Sequence, residues 1–187
     1  MSTQQNSEVE KTKEVYTIGH STRPIEAFVK ILQAYVIEEV VDVRTIPRSR
    51  HNPQFNKDSL PESLEVAEIK YLHTPGLGGL RHARPNSINT GWRNASFRGY
   101  ADYMQTDDFD SALQKIIELS KRKKITLMCA ESLPWRCHRS LIADALLIRK
   151  IRVIDIFTAT VSKRHTLTPF AKVRGEKITY PEERTTA

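Results

Sequence analysis

The apolar positions of this chain switch between a short continuous run and a helical period, and the switching predicts its elements. Val15–Ile18 is a mostly apolar run stopped by Gly19, the pattern of a buried strand. Ile25, Phe28, Val29 and Leu32 then recur at helical spacing, with Pro24 near the first turn and Ser21 or Thr22 as the expected cap. Glu39–Val43 is rich in β-branched residues and reads as a second strand, giving way at Arg44 to a polar loop with Pro47 and Pro53. A short helix is expected from Asp58 or Ser59 to about Ala67, then a third strand over Ile69–His73. Pro75 to about Phe97 carries glycine and arginine without periodicity and reads as a long loop, followed by a helical turn over Tyr100–Met104. Phe109, Leu113, Ile116 and Ile117 mark an amphipathic helix, and the cations of Lys121–Lys124 complement its dipole at the C-terminus. Ile125–Met128 reads as a fourth strand, Cys137–Arg149 as a strongly apolar helix and Val153–Thr158 as a fifth strand. Ser162–Ala187 has a mixed pattern, expected to dock irregularly on the body.

Strands alternating with helices predict one α/β domain over residues 14–181. Its expected architecture is a mainly parallel five-stranded sheet with helices on both faces, a Rossmann-like three-layer sandwich. Residues 1–13 and 182–187 read as flexible tails. In such sheets ligands sit beyond the carboxyl ends of the strands. With strand one between strands two and four, the segments Gly19–Ser21, Arg44–Pro47 and Glu131–Arg139 meet on one edge.

Composition narrows the class. Apolar residues are 39% and charged residues 27%, which suits a globular chain. No apolar run is long enough for a membrane span, and the first thirteen residues lack the apolar stretch of a signal peptide, so a cytoplasmic protein without a membrane partner is expected. Cys129 and Cys137 are then expected to be reduced thiols. The net charge of +7 favours an anionic partner such as DNA, RNA, a nucleotide or a phosphorylated metabolite.

The densest chemistry lies in Met128–Glu131 and Trp135–Arg139. A helix N-terminus attracts anions and lowers thiol pKa values. Cys129 or Cys137 there is a candidate nucleophile, Glu131 a general acid or base, His138 a catalytic imidazole and Arg139 an anion clamp, while buried inert thiols and a structural arginine are the plain alternative. The Cys-x7-Cys spacing with one adjoining histidine does not suit zinc, and the interval from Cys129 to Arg136 misses the cysteine-x5-arginine spacing of a phosphatase loop. Neither a metal nor a cofactor is expected.

His20 follows Gly19 at a strand end, where glycine admits close backbone approach to a ligand, and it is expected to face Glu131, with the Ser21 hydroxyl beside it. Asp42 and Arg44 point to one side of their strand, either as a structural ion pair or with Arg44 holding a phosphate. In the long loop Arg81, Arg84, Trp92, Arg93 and Phe97 interleave cations with aromatic rings, which either meet nucleic acid or pin the loop to the body.

These same residues resemble a known family. Tyr16–Ser21, Asp42–Arg44 with Pro47 and Ser49, Tyr71–His73 with Leu77–Gly79, and Cys129–Glu131 with Cys137–Arg139 look like the ordered signature of the bacterial and archaeal domain of unknown function 488. Leu167–Pro169 and Tyr180–Pro181 are similar to it too, so the resemblance runs over about residues 15–181. It implies one compact cytosolic domain and carries no reaction with it.

Three functions follow from the residues. One is an enzyme on nucleic acid or a nucleotide, with Glu131 and His20 serving base or glycosidic-bond chemistry. Another is cysteine-based group transfer on a small anionic molecule. The last is a nucleic-acid-binding module without catalysis. Changing Glu131 to Gln separates the first from the last, because a carboxylate beside phosphate is a liability unless it reacts or pairs.

Overall fold

The computed structural model describes residues 14–182, so the expected tail 1–13 and all but the first residue of the tail 182–187 lie outside the described residues. The chain forms β1 (Glu14–Gly19), α1 (Ile25–Ala34), β2 (Glu39–Asp42), α2 (Leu60–Glu65), β3 (Lys70–His73), α3 (Ala95–Tyr103) and α4 (Asp107–Ser120). It continues with β4 (Ile125–Cys129), α5 (Arg139–Leu147), β5 (Arg152–Ile156), β6 (Ser162–Arg164), β7 (Lys172–Arg174) and β8 (Lys177–Thr179).

The central sheet has six strands in the order β3-β2-β4-β1-β5-β6, with β1 to β5 parallel and β6 antiparallel on β5. This corrects the five-stranded expectation: the segment after β5 adds an edge strand, and β7 and β8 form a separate antiparallel hairpin. Lys163 and Arg164 hide that edge strand from a hydrophobicity pattern, since an edge in contact with water carries charge. A second correction concerns strand order. β4, rather than β1, is the inner neighbour of β2, so β4 stands between β1 and β2.

Alternation along the strands divides the core into two faces. Val15, Val41, Leu127 and Val153 face α3, α4 and α5, whereas Tyr16, Ile18, Val40, Met128 and Ile156 face α1 and α2 with Phe55. The result is a mixed α/β, Rossmann-like sandwich. Helix α1, after β1, and α5, after β4, lie on opposite faces, so the adjacent pair β1/β4 is a point where the connections diverge.

Local details differ from the sequence pattern in three places. Pro24 occupies the N-cap of α1 with no side-chain cap bond, so neither Ser21 nor Thr22 caps it. Ser21 instead takes a left-handed φ of 53°. The expected turn at Tyr100–Met104 is the end of a longer helix, α3, capped by Asn94 Oδ1, which accepts the Ser96 N–H at 2.8 Å. Among the described residues no helix is long and apolar enough to cross a membrane.

Candidate active site

The carboxyl ends of β2 and β4 and the start of α5 enclose a cleft of about 490 Å³. Arg44, Cys129, Glu131, Cys137 and His138 line it, together with Phe97 from α3 and Leu80 from the long loop. His20, Ser21, Arg81, Trp92 and Arg139 do not line it. Arg139, His20, Arg81 and Trp92 are each held by contacts within the fold.

Arg139 is only 1% exposed and sits behind Cys129. Its Nη1 donates to the Ile18 carbonyl at 3.0 Å, the Glu131 carbonyl at 3.0 Å and Cys129 Sγ at 2.8 Å, while Nη2 donates to the Ser132 carbonyl at 3.3 Å. The guanidinium thus ties β1, β4 and the loop after β4 into one unit and puts its charge against a thiol. Burial pushes the Cys129 thiol up, but a hydrogen bond from Cys137 and the Arg139 charge outweigh it, bringing the pKa down to about 7. Cys137 moves the other way, well above its ordinary value, because it is the donor to Cys129 and is itself buried.

His138 gives its Nε2–H to the Val43 carbonyl at 3.0 Å, which leaves Nδ1 as an acceptor 3.5 Å from Cys137 Sγ. Burial lowers its pKa to about 4, so the ring is neutral near pH 7. Gly79 packs against this ring so closely that a Cβ there would stand 2.7 Å from His138 Cγ. Glu131 is exposed at the cleft wall.

Among the described residues no hydrogen bond joins His20 to Glu131, and the ring is held at the Arg44 loop. From the end of β1, His20 reaches across the end of β4 to the Arg44 loop. Its ring stacks on Phe55 with centroids 4.2 Å apart, Nδ1 donates to the Ser21 carbonyl at 2.7 Å, and Nε2 accepts from Arg44 Nη1 at 3.1 Å. Burial lowers its pKa to about 4.

Asp42 and Arg44 form a buried ion pair. Arg44 Nε donates to Oδ1 at 2.9 Å and Nη2 to Oδ2 at 2.6 Å, and Nη2 also reaches the Phe55 carbonyl at 2.7 Å. With His20 on Nη1, every guanidinium nitrogen of Arg44 is engaged within the fold. Tyr71 Oη donates to Asp42 Oδ2 at 2.8 Å and His73 Nε2 to the Arg44 carbonyl at 2.9 Å, so the Tyr71–His73 motif braces this turn from the neighbouring strand.

Trp92 packs against Phe97, Phe170 and Tyr180, with ring centroids 4.8, 5.0 and 5.5 Å away. Arg81 lies 3.6 Å over the Tyr103 ring and donates to the Gly78 carbonyl at 3.1 Å. These contacts pin the long loop to the body. Asp102 organises the rest of it, accepting from the Arg84 N–H at 2.8 Å, Ser87 Oγ at 2.6 Å and Asn89 Nδ2 at 2.8 Å.

Residue patterns missed one buried network altogether. His165 stands between Asp155 Oδ2 and Asp144 Oδ1, 3.0 Å from each, while Thr17 Oγ1 donates to Asp155 and Thr168 Oγ1 and Tyr180 Oη donate to Asp144. The signal was available: an aspartate amid the apolar run of α5 demands a buried partner. Among the described residues no group of three or more His, Cys, Asp or Glu is arranged to hold a metal ion.

Fold and cleft together define an α/β protein with a thiol-lined cavity at the carboxyl edge of its parallel strands. The family model described as Domain of unknown function DUF488 matches residues 24–146, and the chain belongs to that family. The matched span holds the Arg44 loop, Tyr71–Gly79 and the Cys129–Arg139 segment, whereas the Tyr16–Ser21 motif precedes it and Leu167–Pro169 and Tyr180–Pro181 follow it. No curated protein and no solved structure matches the chain.

Proposed function

We propose that this protein is an enzyme of cysteine-based group transfer on a small anionic molecule, with Cys129 as the nucleophile. The observation that carries the reading is the 2.8 Å hydrogen bond from the buried Arg139 Nη1 to Cys129 Sγ at the wall of the cleft. A guanidinium held there stabilises the thiolate, the reactive form of a cysteine. Cys137 donates to the same sulfur, and the neutral His138 presents Nδ1 as a proton acceptor beside Cys137. Exposed Arg136 supplies charge for an anionic group, and Phe97 and Leu80 supply apolar faces for the rest of a ligand of nucleotide size. In this scheme the thiolate attacks the electrophilic atom, the new bond forms to Sγ and the leaving group departs as an anion. The glycosidic alternative relied on Glu131 paired with His20, and the thiol reading is preferred because Cys129 and Glu131 line the cleft whereas His20 does not.

Alkylation by iodoacetamide, followed residue by residue by mass spectrometry, tests the nucleophile. Cys129 is expected to react with a midpoint near pH 7, and Arg139→Lys to move that midpoint upward. Incubation with thiosulfate or an acyl phosphate is expected to leave the transferred sulfur or acyl group on Cys129. Ordinary thiol midpoints at both cysteines, or unchanged turnover in a Cys129→Ser protein, would overturn the reading.

A further inference from the structure

A second cavity, of about 200 Å³, opens between the one-turn helix Pro134–Arg136 and the edge strand β6. Trp135, Phe157, Lys163 and His165 line it, and neither Trp135 nor Lys163 lines the Cys129 cleft. We propose that this cavity grips single-stranded nucleic acid, with Trp135 as the stacking platform and Lys163 as the phosphate contact. The inference goes beyond the thiol chemistry and does not depend on it.

Trp135 is 61% exposed, unusual for an indole, and it is not a loose side chain. Buried Pro134 anchors its turn, and the ring lies 6.3 Å from Phe157 at an interplanar angle of 46°. A supported aromatic face in contact with water is what a splayed base stacks on.

Register places the charge. Lys163 is directly opposite Asp155 in the antiparallel pair, so its side chain shares the face of Asp155, Phe157 and His165. Lys163 makes no ion pair among the described residues. Asp155, the acid in the cavity wall, is already committed to Thr17 and His165 and does not neutralise it. Arg136 follows Trp135 and lines the first cleft, so positive charge continues from one cavity to the other. An acidic peptide would use the cations and leave the indole idle. A nucleotide strand uses both at once, the base on Trp135 and the phosphate on Lys163.

Fluorescence polarisation with dye-labelled single strands of about twelve nucleotides, DNA and RNA, tests this. Saturable binding that weakens steeply with salt is expected, with quenching of the exposed indole. Trp135→Ala is expected to weaken binding about tenfold or more, and Trp135→Phe to retain most of it. Lys163→Glu is expected to weaken binding at least about threefold and to flatten the salt dependence by about 0.7 in log–log slope. The proposal falls if the wild-type protein binds no oligonucleotide at low salt. It falls equally if Trp135→Ala and Lys163→Glu, folded by circular dichroism, bind like the wild type. Polyglutamate binding with the same sensitivity to both variants would reassign the cavity to an acidic peptide and overturn it as well. Cys129 alkylation measured in Trp135→Ala keeps this outcome separate from that of the thiol reading.

Discussion

At Gly19 the backbone of β1 runs so close to the loop after β4 that a Cβ would stand 2.5 Å from the Glu131 carbonyl carbon and 2.8 Å from Ser132 Cα. Both are main-chain atoms, so no rotamer change relieves the clash. Gly19→Ala is therefore expected to cost about 3 kcal/mol or more, read as a lowered urea midpoint. Gly175 provides the contrast: its φ is +60° but nothing lies within 4 Å of a Cβ, so alanine there is expected to cost only about 1 kcal/mol from backbone strain. Equal losses at the two positions would sink the close-approach account. That a glycine ending a strand permits close approach was legible in the sequence. What it approaches was not, because the neighbour is a carbonyl brought in by β4, more than a hundred residues away, rather than a ligand. Arg44 shows the same division. Its pairing with Asp42 follows from their two-residue spacing, while its contact with His20 joins the ends of two strands that are not neighbours in the sheet, which no local pattern encodes.

Among the elements, α1 and α4 were legible almost to their ends because burial of one face leaves its period in the chain, and β4 because burial of both faces leaves a continuous apolar run. Helix α3 was not. Its residues Ala95–Tyr103 mix arginine, serine and glycine with aromatics, and its stability comes from the Asn94 cap and from packing beneath the long loop. Asp102 is the link between the two. Burial pushes its carboxyl up, but the bonds from Ser87, the Arg84 N–H and Asn89 outweigh that and hold its pKa below the usual range. Asn89 Oδ1 in turn accepts the Tyr180 N–H at 2.9 Å, so one carboxylate secures the loop and, through it, the C-terminal segment. Asp102→Ala leaves three donors without their acceptor and is expected to cost about 3 kcal/mol. The local consequence is sharper than the global one: limited trypsin digestion is expected to cut first at exposed Arg93, just past the held segment, in this variant and not in the wild type. First cleavage at an unrelated site in both proteins would show that Asp102 does not hold the loop.

For the molecule as a whole, the buried titratable groups set opposing dependences of stability on pH. His20 and His138 have pKa values lowered to about 4 by burial, against about 6.5 for an unfolded histidine. The unfolded chain takes up those protons first, so the stability from their neutral burial is lost as pH falls from about 6.5 to 4. His165 has the reverse sign. Burial lowers its pKa, but the bonds to Asp144 and Asp155 prevail and raise it to about 9, so its contribution is full below about 6.5 and lost as pH rises toward 9. Cys129, lowered to about 7, contributes fully above the ordinary thiol pKa of about 9 and loses that contribution as pH falls through 7. Between pH 7 and 9 the His165 loss and the Cys129 gain, each at most about 3 kcal/mol, therefore run against one another. Urea unfolding across this window is expected to give a nearly flat curve for the wild type. His165→Gln removes the falling limb, so its stability is expected to rise with pH, and Cys129→Ser removes the rising limb, so its stability is expected to fall. Parallel curves for all three proteins would mean that neither the carboxylate-flanked imidazole nor the arginine-bound thiolate is charged in the folded state. The thiolate at the centre of the proposed chemistry is thereby open to measurement through folding alone, before any substrate is known.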